Sequence, residues 1–299
     1  MRFCAEYSRA SEEQLFGTAK PVDHWLLIEH LGRWEKEAEG SLPSCARDAV
    51  ARLKSRVPRL RVALIRQDAR TPRPLLGFLA QSRETQSRLF SFSFENHTDL
   101  ADLDIGRILE TPPIERDLYL VCTHGTHDRC CAKFGNALFD AMRRVAGADV
   151  WRTSHVGGCR FAPNLVALPR GIVYGRVQAE DCPSIVEAAR AGGIVTRLLR
   201  GRSCYDQPVQ AAEYFIRSEL RETGALQLGS SHELDGEWNV VFHRGKTVIS
   251  VRLAVENPGI STFKSCAATI LSSRTEFRLV SFSSDESRVA TETVLDTPF

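Results

Sequence analysis

Three cysteines and one histidine carry the chemistry that can be read from this chain. Cys122 and Cys131 stand in a C-x8-C spacing, and 24 residues after Cys131 an H-x-G-G-C turn supplies His155 and Cys159. Thiolate sulfur and imidazole nitrogen are the donors of zinc sites and iron–sulfur clusters, whereas magnesium and calcium call for oxygen. The residues between Cys122 and Cys131 are mostly small or polar, enough for a loop that folds back over an ion or cluster. Gly157 and Gly158 open backbone conformations closed to other residues, so His155 and Cys159 can face one centre. Main-chain N–H groups in such a turn can also donate to sulfur. Cys130 competes with Cys131. Neighbours at the start of a helix point in different directions, so only one of the two belongs to the centre, and spacing alone does not choose.

The elements around these residues must bring them together. Leu118 to Cys122 reads as a short apolar strand that runs into the first cysteine segment. From about 132 to 145, Phe134, Leu138, Phe139, Met142 and Val145 recur at helical spacing, with Gly147 past the end. Asp149 to Thr153 reads as a strand ending at the H-x-G-G-C turn. Asn164–Pro169 and Ile172–Val177 form a hairpin around Arg170 and Gly171, and a helix from Pro183 to Ala191 stops at Gly192. Both cysteine segments are loops that follow strands. If those strands are neighbours in one sheet, the four donors meet at one end of it.

Upstream, Pro43 and Ser44 open a helix to about residue 54, followed by strands at Arg61–Arg66, Pro74–Gln81 and Leu89–Glu95. Glu110 to Asp117, with paired prolines, reads as a linker. Downstream come a helix from Gln207 to about Glu222 and strands at Trp238–His243 and Thr247–Val255. No internal repeat is visible.

Bulk properties narrow the function. A net charge of +2 over 299 residues gives no electrostatic mandate for nucleic acid or anionic membrane. The N-terminus has no apolar signal core, and the longest apolar runs fall far short of the roughly 20 residues of a membrane span. The expectation is a soluble, cytoplasmic protein. Nine cysteines at irregular spacing do not form a secreted disulfide framework. Cys4, Cys45, Cys182, Cys204 and Cys266 are expected to be buried or incidental thiols. His124 and His127 read as loop groups outside the ligand set. No glycine-rich fingerprint for a nicotinamide or flavin cofactor follows a strand, so electrons would come from a separate reductase. Structural zinc on the same donors is the main alternative. Thiol–disulfide chemistry is weaker, because the segment lacks C-x-x-C and the H-x-G-G-C turn would have no purpose.

The run from Cys122 to Cys131, the helix after it, and above all the stretch from Ser154 to Val177 resemble the sucrase/ferredoxin-like family, whose second half is a thioredoxin-like 2Fe–2S ferredoxin. Leu15–Ala19 and Asp23–Glu29 extend the resemblance toward the N-terminus. It implies an α/β (α+β) protein with an N-terminal α/β unit at 1–113, a thioredoxin-like ferredoxin domain at 114–205 and a C-terminal α+β extension at 206–299. It implies Cys122 and Cys131 as the thiolates on one iron of a 2Fe–2S cluster and His155 as a further ligand. The fungal pattern ends in a second histidine where this chain has Cys159, so a three-cysteine, one-histidine set is expected. The implied function is a soluble one-electron carrier that works with a redox partner protein. The "sucrase" half of the family name finds no recognisable carboxylate pair here.

Overall fold

The computed structural model describes residues 3–67 and 74–286. A short helix α1 (Cys4–Ala10) precedes the first strand, β1 (His24–Glu29). A connection leads from β1 to helix α2 (Ser44–Arg56), and β2 (Leu60–Arg66) returns parallel to β1. β3 (Leu75–Gln81) then pairs antiparallel with β1, and β4 (Arg88–Phe94) with β3. Helix α3 (Ile105–Leu109) closes this unit; its N-cap Asp104 accepts from the N–H groups of Gly106 and Arg107.

The same order of elements then recurs. β5 (Leu118–Cys122) leads through α4 (Arg129–Ala146) to β6 (Val150–Thr153), parallel to β5. β7 (Leu165–Leu168) pairs antiparallel with β5, β8 (Ile172–Tyr174) with β7, and α5 (Cys182–Arg190) follows. Strand order β6-β5-β7-β8, with a helix crossing from β5 to β6, is the thioredoxin-like arrangement. The first unit has the equivalent order, β2-β1-β3-β4. The repeat leaves no trace in the residues because a fold constrains burial pattern more tightly than identity.

The two units are one sheet. β2 and β6 join antiparallel through their C-terminal residues only, Ile65 opposite Thr153 and Arg66 opposite Arg152. The loops leaving the C-terminal ends of β1–β2 and of β5–β6 therefore converge at the seam. β9 (Leu199–Arg202) completes the nine strands beside β8. Its residues Arg200 and Arg202 are buried, so alternation of hydrophobicity could not announce it. Glu110–Asp117 is more than a linker: the Ile114 N–H donates to the Leu89 carbonyl at 2.7 Å.

Beyond β9, helix α6 (Gln207–Leu220) packs on a separate antiparallel sheet. Its strands are β10 (Gln227–Leu234), β11 (Glu237–Arg244), β12 (Thr247–Glu256) and, after the two-residue strands β13 (Ser261–Thr262) and β14 (Ser272–Ser273), β15 (Glu276–Glu286). Among the described residues, no helix is long and apolar enough to cross a membrane.

Candidate metal centre

The site is built where β5 and β6 end. Cys122 is the last residue of β5 and its N–H donates to the Asn164 carbonyl at 3.1 Å. Asp128 caps α4, accepting from the Cys130 N–H at 2.8 Å, and so starts the helix one turn before its apolar stripe. Cys130 and Cys131 thus lie in the first turn, where the helix dipole favours thiolate. Gly135, one turn further on, lets α4 close on the strand. A Cβ there would sit 2.0 Å from the Cys122 carbonyl oxygen.

The structure brings Cys122, Cys131 and His155 into one group and sets Cys159 beside both Cys131 and His155. The Cys131 and Cys159 sulfurs are 3.8 Å apart, and Cys159 Sγ is 3.5 Å from His155 Nδ1. Donor atoms of Cys122, Cys131 and His155 all lie within 4.8 Å of one another. The three sulfurs are buried, and His155 is the partly open member. Hydrogen bonds from the Cys131 thiol hold Cys122 and Cys159 below the usual thiol range and push Cys131 up. Burial pulls the His155 imidazolium down, but hydrogen bonds and charge from Cys122 and Cys159 outweigh it and raise the group to about 9.

The H-x-G-G-C turn rests on a residue that sequence reasoning missed. Arg200, from β9, is only 2% exposed and donates to the Gly157 carbonyl at 2.9 Å and to Asn164 Oδ1 at 3.0 Å. It also donates to the Thr18 carbonyl and hydroxyl, at 2.6 and 3.1 Å. Burial lowers its guanidinium to about 9. Gly158 has φ +72°, and a Cβ there would meet the Arg200 Nη2 at 2.5 Å, so glycine is required on both counts. Arg61, from β2 of the other unit, donates to the His155 carbonyl. No sequence signal links Arg61 or Arg200 to a turn so distant along the chain.

The loop after β1 covers the centre from the other side of the seam. His124 uses both ring nitrogens: Nε2 meets the Glu35 carbonyl at 2.7 Å and Nδ1 accepts from the His155 N–H at 3.1 Å. The His127 ring stacks on His155 at 3.9 Å between centroids, while its Nδ1 meets the Lys36 carbonyl at 3.1 Å. Both histidines therefore contact His155, and a ring nitrogen of His127 lies within 4.8 Å of donor atoms of His155 and Cys159, which makes His127 a further candidate donor. Beside them a cavity of about 260 Å³ opens, lined by His127, His155, Lys36, Lys54, Arg61 and Glu39 among others. Of the nearby basic residues, Arg160 turns away to ion-pair with buried Glu13 at 2.7 Å, and Lys133 lies over Phe3.

Fold and donor set together define a thioredoxin-like protein with a cysteine- and histidine-rich centre at the carboxyl ends of its strands. The sucrase/ferredoxin-like family model matches residues 15–201, and the chain belongs to that family. Among curated relatives, altered inheritance of mitochondria protein 32 of Clavispora lusitaniae is 29% identical over 144 residues, which is 45% of this chain and 53% of the relative. The protein of the same name from Debaryomyces hansenii is 36% identical over 114 residues, 34% of this chain and 38% of its own length. The chain thus spans about half or less of these relatives. Among solved structures, the wild-type thioredoxin-like 2Fe–2S ferredoxin of Aquifex aeolicus is 26% identical, covering 29% of this chain and 97% of its own, with a TM-score of 0.26. The fold assignment rests on the strand order described above.

Proposed function

We propose that this protein is a one-electron carrier that holds a 2Fe–2S cluster on Cys122, Cys131, His155 and Cys159. The observation that carries the reading is that Cys122, Cys131 and His155 have donor atoms within 4.8 Å of one another, while the Cys159 sulfur lies 3.8 Å from Cys131 Sγ and 3.5 Å from His155 Nδ1. The donor set fits: soft sulfur and nitrogen converge there, with main-chain polar groups close by. Bound there, the cluster would supply a centre that takes up and returns a single electron. His155 contributes a neutral ligand in place of a fourth thiolate, which lessens the negative charge accumulated on reduction and raises the potential. As the partly open member beside the cavity, His155 marks the side on which a redox partner, expected to be a separate reductase or acceptor protein, would approach.

A second reading follows from one distance. The 3.8 Å between Cys131 and Cys159 sulfurs matches the edge of a tetrahedron with bonds of ~2.3 Å, the size of a zinc site. One experiment separates the two. Protein purified without oxygen is examined by visible spectroscopy before and after dithionite, with iron, zinc and sulfide assayed on the same sample. About two irons and two sulfides per chain, with bleaching on reduction, support the carrier. A colourless protein with zinc lost on mutation of Cys122 or Cys159 would replace it with a structural staple.

A further inference from the structure

Cys130 does not join the centre of its neighbour. Its sulfur lies 3.4 Å from Cys4 Sγ and 3.2 Å from Cys266 Sγ, and Cys266 Sγ is 3.6 Å from Cys4 Sγ. A carboxylate oxygen of Asp128 falls in the same group, with all four donor atoms within 4.8 Å of one another. Three thiols from positions 4, 130 and 266, together with one carboxylate, therefore form a closed cluster beside the first.

We propose that Cys4, Cys130, Cys266 and Asp128 form a second metal site and that it binds zinc. A tetrahedral zinc–thiolate site has a sulfur–sulfur edge of ~3.8 Å, so the triangle needs to open by at most ~0.6 Å to admit the ion. Four protein donors with no open position are the mark of a structural site, not a catalytic one. Asp128 has the capacity to serve. Its Oδ1 accepts from the Cys130 N–H and its Oδ2 from the Cys266 N–H, each at 2.8 Å, and each oxygen keeps a second lone pair. The Ala5 N–H points at Cys130 Sγ at 3.5 Å, the kind of outer-shell contact that supports a thiolate ligand. Zinc entry displaces the thiol protons to solvent and leaves the metal's oxidation state unchanged.

The placement says what the site does. Cys4 belongs to α1, Cys130 to the first turn of α4, and Cys266 to the turn between β13 and β14. The segments also meet around the site: Phe3 meets Phe134 and Tyr7 meets Phe263 edge to face, Lys133 pairs with Glu6 at 3.7 Å, and Thr262 donates to Glu13 at 3.2 Å. Zinc would close chain loops of 126 and 136 residues at one point, pinning the N-terminal helix and the C-terminal segment over the helix that carries Cys131.

The test is metal analysis of the full chain, purified under reducing conditions, given zinc alone and then dialysed against a weak chelator. One zinc per chain is expected, falling below a tenth in both Cys4→Ser and Cys266→Ser while the iron content and visible spectrum persist. Zinc undiminished in both variants, or no zinc retained by the wild type, would overturn the site. So would an intact mass two daltons low that maps to a disulfide within the triad. Should the variants fail to fold, zinc X-ray absorption on the wild type decides: three sulfurs and one oxygen support the site, and fewer than three sulfurs refute it. Iron absent with two zincs retained, one of them lost in Cys4→Ser, would refute the electron carrier and leave this site standing.

Discussion

Cys130 and Cys131 are consecutive residues whose sulfurs belong to different clusters: Cys131 Sγ lies 3.8 Å from Cys159 Sγ, while Cys130 Sγ lies 3.2 Å from Cys266 Sγ. The first turn of a helix sends adjacent side chains about 100° apart. One turn of α4 thereby contributes to two groups of donors, and Asp128, which caps that turn, lies within reach of both.

The two cysteines consequently differ in what their loss removes. Cys131→Ser is expected to abolish the visible chromophore, as are Cys122→Ser and Cys159→Ser. Cys130→Ser should keep it. Absorption spectra and iron content of the purified variants check this, and a bleached Cys130→Ser beside a coloured Cys131→Ser would reverse the assignment.

His155→Cys should retain a cluster and lower its reduction potential, because a fourth thiolate adds negative charge that disfavours the incoming electron. Protein-film voltammetry or a dye-mediated titration reads the shift. An unchanged potential would remove His155 from the ligand set.

Arg200 is the buried support of the H-x-G-G-C turn, with acceptors at Thr18, Gly157 and Asn164. A lysine carries a point charge on a flexible stem and cannot satisfy these acceptors as a planar fork does. Arg200→Lys is expected to cost ~3 kcal/mol in urea unfolding and to speed loss of the chromophore at constant pH. Stability within error of the wild type would show that the turn holds itself.

His30 lies in the loop after β1, and its imidazolium is disfavoured first by burial and next by the charge of His97. A folded-state value below the ordinary 6.5 means that the unfolded chain binds this proton more readily. Stability should therefore be full above the ordinary histidine range and fall as the pH drops through 6.5 toward the lowered value. His30→Asn should flatten that slope. Urea midpoints of both proteins above and below the histidine range test it, and parallel slopes would refute it.

The candidate donors were legible because such residues are rare and their spacing is local. Cys122, Cys131, His155 and Cys159 stand out in any reading, and strand-then-loop patterning is enough to place each segment at a strand end. The helices α2, α4, α5 and α6 were readable to within a few residues for the same reason, since an amphipathic stripe or a cap is a property of one short window. What depends on pairs far apart in the chain was not. Whether β5 and β6 are neighbours, and that β2 meets β6 only by its last residues, is a matter of sheet topology. Nothing local to Arg200 shows that β9 buries it behind Gly158, and Cys4 and Cys266 read as buried or incidental thiols until α1 and the C-terminal segment converge on α4. Local patterns follow from the periodicity of a single element. A site assembled from positions 4, 130 and 266 exists only once long-range packing has offset the entropy of closing those loops.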